Sequence, residues 1–88
     1  GTAAVSPKVP DLGVVEVSDG IPSQHDLGGG RVCTIIPAIQ KDGSVMLTLQ
    51  LEQADQLLAM PRVQTLSGRA IIARAGDIGV ELTPQIKP

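Results

Sequence analysis

The chain contains no phenylalanine, tyrosine or tryptophan. Aromatic side chains bury the largest areas per residue, so any core must be assembled from Leu, Ile, Val, Met and Ala. Such a core is thin for 88 residues, a length near the lower end for independent folding, and association would relieve that. The same lack removes the rings on which nucleic-acid bases stack. The seven Lys and Arg are scattered along a chain of net charge −2. Nucleic acid is therefore not an expected partner.

Long apolar runs are missing too. None approaches the roughly 20 residues a helix needs to cross a bilayer. A strand-built pore is expected to carry aromatic girdles at both membrane interfaces, and none can be built here. We therefore expect no direct membrane span. One cysteine, Cys33, excludes an internal disulfide. It lies in the apolar run Val32-Cys33-Thr34-Ile35, which suits a buried, unreactive thiol. With one histidine and no ligand-type spacing, His25, Asp26 and Cys33 make no expected metal site. No cofactor or small-molecule substrate is implied. The start at Gly1 reads as a processed product or an excised segment.

What is present is a phrase that nearly occurs twice. Thr34-Ile35-Ile36-Pro37-Ala38-Ile39-Gln40-Lys41 is echoed by Glu81-Leu82-Thr83-Pro84-Gln85-Ile86-Lys87-Pro88. Aligning Pro37 with Pro84 places Ile39 on Ile86 and Ile35 on Leu82. Each copy is an aliphatic, β-branched run broken by one proline, which suggests a strand at a sheet edge or a bulge.

The rest of the chain extends that pattern. Residues 1–11, with Pro7 and Pro10, read as an extended arm or linker, and residues 12–88 as a single β-domain. Val14-Val15-Glu16-Val17 is a short strand. Ser23 to Gly30 is polar and ends in three glycines, which suggests a mobile loop or a site of close backbone approach. Arg31–Gln40 and Ser44–Glu52 flank Lys41-Asp42-Gly43, and Asp-Gly between two such runs signals a hairpin. In the second run Val45, Leu47, Leu49 and Leu51 alternate with Met46, Thr48, Gln50 and Glu52, a period of two with one apolar face. Those four aliphatic residues are the expected core or interaction anchors.

Ala54, Leu57 and Leu58 fall at helical spacing, so one short helical turn is expected near residues 53–60, ended by Pro61. Arg62–Leu66 and Arg69–Arg74 read as a second hairpin across Ser67-Gly68. Gly76-Asp77 turns the chain into a last strand, Ile78–Ile86. The expectation is all-β: a small β-sandwich or open barrel of six to seven strands built from hairpins.

Thr34 to Leu47 resembles a phrase of bacterial secretins, the ring-forming outer-membrane channels of type II and type III secretion and type IV pilus systems. There a Thr-Pro-x-Ile stretch, an Asp-Gly turn and an alternating strand form one hairpin. Leu58 to Ala70, with Pro61-Arg62-Val63, is similar to a second secretin phrase, and Val80 to Ile86 resembles the start of the first. The likeness covers roughly the C-terminal 55 residues. The two phrases stand here in the reverse of the usual secretin order, and the further ring-building domains of a secretin are absent. Membrane spanning and gating are therefore not carried over. The resemblance implies a bacterial, extracytoplasmic β-module (periplasm, outer-membrane complex or extracellular) that works in assembly or binding.

Three mechanisms compete. The first is non-enzymatic association with protein partners or further copies, by pairing of edge strands. For it Val14, Val15, Val17, Pro37, Ile39, Pro84 and Ile86 are candidates, and an arm carrying Val5 and Val9 could complete a neighbour's sheet. The second is an extracellular filament built by strand exchange. The third is a hydrolase using Ser23 and His25 with Asp26. Three neighbours on a glycine-rich loop make a poor scaffold for a triad, so a solvated loop is the simpler account. Gly28-Gly29-Gly30 precedes a strand rather than a helix, against a phosphate cradle. Arg62, Arg69, Arg74 and Lys87 form either a basic patch or cross-strand pairs with Glu52, Asp77 or Glu81.

Overall fold

In the computed structural model residues 9–88 are described, and the valine at position 5 lies outside them. Eight strands follow one another: β1 (Asp11–Val17), β2 (Ser23–Gly28), β3 (Arg31–Ile39), β4 (Ser44–Gln53), β5 (Gln56–Ala59), β6 (Arg62–Leu66), β7 (Ile71–Ala75) and β8 (Ile78–Ile86). They form two sheets that do not close into a barrel. One has the order β1-β8-β7; the other runs β2-β3-β4-β5, with β6 also pairing β4.

Core residues come from both sheets. Val45, Leu47, Leu49 and Leu51 of β4 and Ile35 of β3 are 0–2% exposed, and Val80 and Leu82 of β8 are fully buried. Val15 and Val17 of β1 complete the apolar layer. The alternation of β4 has a direct cause. A strand sends successive side chains to opposite faces, so every second residue meets the facing sheet. The layer is wholly aliphatic apart from Cys33.

The longest pairing is β3 with β4, in unbroken register from Arg31↔Gln53 to Ile39↔Val45. Its turn is fixed by Asp42, whose Oδ1 accepts from Ser44 N at 2.9 Å and from Ser44 Oγ at 2.6 Å. These bonds favour the carboxylate and hold Asp42 below its ordinary pKa. β7 and β8 form a second hairpin across Gly76-Asp77.

The echoed phrase is a structural repeat. β3 and β8 are each nine residues long and each is central in its sheet. Both prolines are buried, where an edge or a bulge was expected. They fit because the flanking ladder has already ended beside them. The β2–β3 ladder stops at Ser23↔Ile35 and the β7–β8 ladder at Ile71↔Leu82. At each proline a turn glycine arrives instead: Gly20 N donates to Pro37 O at 2.8 Å, and Gly68 N donates to Pro84 O at 2.7 Å. Two residues on, Ile39 N donates to Asp19 Oδ1 and Ile86 N donates to Ser67 Oγ, each at 2.9 Å. Proline lacks an N–H, so it is tolerated where no ladder acceptor waits for one.

Several expectations are corrected. Residues 53–60 hold no helical turn. Ala54 and Asp55 take φ of 51° and 64°, closing a tight β4–β5 hairpin of the kind that needs two left-handed residues. Strands number eight rather than six to seven, because β5 and β2 join the sheet. Ser23–Gly28 is strand, with Ser23, His25 and Leu27 half-buried and the intervening residues exposed. Ser67-Gly68 closes no hairpin either. β6 pairs β4 and β7 pairs β8, so residues 67–70 carry the chain from one sheet to the other. Finally, Asp11 belongs to β1, and Pro10 O already accepts from Glu81 N at 2.8 Å.

Candidate functional site

The residues expected to pair edges mostly pair with one another. β1 lies parallel to β8 with Val14↔Thr83, Val15↔Pro84 and Val17↔Ile86 in register. Val14 points outward and is 69% exposed, whereas Val15 and Val17 are core. Pro37 and Ile39 face Leu47 and Val45 inside the other sheet. These positions therefore build the domain itself.

Edges without a partner among the described residues are those of β1, β2 and β7, and the composite edge formed by β5 and β6 beside β4. The β5 edge differs in composition. Leu57 is 56% exposed, Leu58 40% and Met60 49%. Leu58 is an extra residue between the pairs Leu51↔Ala59 and Glu52↔Leu57. That bulge turns two adjacent leucines outward where strict alternation would bury one. β5 contains neither charge nor proline, two of the usual guards of a free edge, so its guards are its four-residue length and its bulge.

Ser23 and His25 do meet. They share a face of β2, and Ser23 Oγ lies 2.9 Å from His25 Nε2. Asp26, the third triad-type residue, belongs to the other face of the strand, and its Oδ1 accepts from Gly28 N at 2.9 Å. Asp26 therefore does not stand behind the imidazole. Cys33 is fully buried opposite His25 and Leu51, and burial pushes its thiol up to about 11. A thiol so held is a poor nucleophile at neutral pH. Among the described residues no group of three His, Cys, Asp or Glu is placed to hold a metal ion.

Neither arrangement open to the basic side chains, a basic patch or cross-strand pairs, assembles on one hairpin. Arg62 opposes Thr48 in one sheet and Arg74 opposes Gly79 in the other. Glu52 and Glu81 face Val32 and Ile72, with no arginine directly across. Arg74 instead joins Arg31 around a cleft of about 520 Å³ at one end of the sandwich, between the β2–β3 and β7–β8 turns. Sequence reasoning missed this cleft. Its residues are distant in the chain, and only the packing of the two sheets brings their turns together.

Among the described residues no helix is long and apolar enough to cross a membrane. Comparison with family models, curated proteins and solved structures finds no match to this chain.

Proposed function

We propose that this protein is a non-enzymatic β-module that acts by protein–protein association, through addition of a strand to the open β5 edge. The observation that carries this reading is the exposure of Leu57 and Leu58 on the open edge strand β5, with Met60 exposed just beyond it. Main-chain N–H and C=O groups there supply affinity for any extended segment, and the leucines select apolar side chains at alternate positions. The resemblance of Thr34–Leu47, Leu58–Ala70 and Val80–Ile86 to secretin phrases supports an extracytoplasmic setting and a role in assembling an envelope or secretion-type complex.

Sedimentation across a wide concentration range tests the reading with a second copy as the partner. The wild type is expected to exceed its 9.1 kDa monomer mass as concentration rises. Leu58→Lys is expected to stay monomeric, because a charge on the edge opposes pairing. A wild type that stays monomeric throughout, or a variant that associates equally well, overturns it.

A second reading, a filament built by strand exchange, is favoured by β1. Among the described residues this strand comes first and pairs with β8 alone. Electron microscopy of concentrated protein distinguishes long fibres from closed small oligomers.

A further inference from the structure

The cleft at the turn end of the sandwich has a composition that the strand-addition reading does not use. Its apolar wall includes Val9, Pro10, Leu27 and Ile78. Its rim carries Arg31, the first residue of β3, and Arg74 of β7, with Asp77 as the one carboxylate lining it. Two guanidinium groups against one carboxylate make this a positive spot on a protein of net charge −2.

Arg31 is exposed, with one long side-chain contact to β4 among the described residues. Its Nε donates to Gln53 Oε1 at 3.5 Å, and Gln53 Nε2 donates to Gly29 O at 3.3 Å. Gln53 thus links the guanidinium to the glycine turn and leaves both terminal nitrogens available as a fork. Arg74 is placed from the opposite sheet by Gly79. A Cβ at Gly79 would stand 2.9 Å from Val9 Cγ1 and 3.3 Å from Arg74 Cγ. The missing side chain lets the arginine stem and Val9 lie against the β8 backbone. A planar fork of N–H donors matches a carboxylate in shape and charge. The volume falls in the range of small-ligand sites, larger than a lone ion needs.

We propose that this cleft binds a carboxylate carried on a short aliphatic group, with Arg31 and Arg74 on the carboxylate and Leu27 and Ile78 against the aliphatic part. The terminal residue of a polypeptide and a free short-chain acid share this chemistry. The proposal stands apart from strand addition at β5, since no residue of β5 lines the cleft, although Gln53 of β4 adjoins both.

The test is amide chemical-shift titration of the whole chain with three probes: acetyl-Ala-Val-Leu with a free terminal carboxylate, the same peptide as its amide, and hexanoate. The acid peptide is expected to shift Gly28, Gly29 and Gly79, and amidation to weaken binding about tenfold or more, as loss of a charge-assisted pair does. Hexanoate binding as well as the acid peptide identifies a small free acid as the source; hexanoate failing identifies a chain terminus. Arg31→Ala and Arg74→Ala are expected to weaken binding, while Asp77→Asn tightens it by removing the opposing charge. All three positions are exposed, so thermal midpoints report whether the fold is kept. Equal binding of acid and amide, no response to the arginine variants in a folded protein, or no shift at these glycines up to about 10 mM peptide overturns the proposal.

Discussion

Pro37 and Pro84 occupy equivalent places in the two sheets, each buried and each accepting at its carbonyl oxygen from the amide of a left-handed glycine. Gly20 has φ of 72° and Gly68 of 85°, with nothing closer than 4.0 Å to a Cβ added at either. Substitution there is opposed by backbone strain and not by a clash. Gly20→Ala and Gly68→Ala are each expected to lose about 1–2 kcal/mol in denaturant titration. Similar losses at both sites indicate that the two turns are energetic equivalents. No loss at either would show that the turn geometry is not needed.

The aliphatic layer offers the largest expected effect. Leu49 is fully buried at the centre of β4. Leu49→Ala is expected to cost about 2–5 kcal/mol, enough to unfold much of so small a domain. Circular dichroism must follow the melt, because the chain has no aromatic fluorophore. An unchanged midpoint would contradict the burial.

Thr65 gives the opposite sign. It is 7% exposed, and its Oγ1 has no hydrogen-bond partner among the described residues. Thr65→Val keeps the β-branched shape and removes a buried hydroxyl, so it is expected to stabilise by about 1 kcal/mol. A less stable variant would reveal a hidden partner for that hydroxyl.

Cys33 sets a dependence at high pH. Its folded pKa, about 11, lies above the ordinary 9.0 because burial disfavours the thiolate. Between these values the unfolded chain releases a proton that the folded chain retains. The contribution is therefore complete below pH 9 and is lost as pH rises towards 11. Cys33→Ala is expected to show a shallower loss of stability across that window. A thiol reagent is expected to label the wild type at neutral pH only as fast as the protein unfolds, and immediate labelling would place the sulfur at the surface.

Two of the short-range pairings were readable from residues alone. Asp42-Gly43 announces the β3–β4 hairpin, and the two-residue period of Val45 to Leu51 marks which side faces inward. What escaped reading were the non-local choices and two tight hairpins, β2–β3 and β4–β5. Ser67-Gly68 looks like a hairpin turn, yet its amide and hydroxyl are spent on Pro84 and Ile86, while β4 is long enough to pair β5 and β6 in succession. Leu57 and Leu58 imitate helical spacing because a bulge inserts one residue into a strand. Ser23 to Gly28 looks like loop because its inward positions include Ser23 and His25, which satisfy one another on an edge strand. At the cleft, Arg31 and Arg74 carried no sequence signal, since sheet packing alone brings them together.

The pairing of β1 with β8 joins the first strand of the described residues to the last. Val15 and Val17 are translated well before their backbone neighbours Pro84 and Ile86. The β1–β8 ladder therefore waits for β8 to be made, while the β3–β4 hairpin can close as soon as it emerges. Loss of Thr83 to Ile86 would leave β1 without most of its backbone partners.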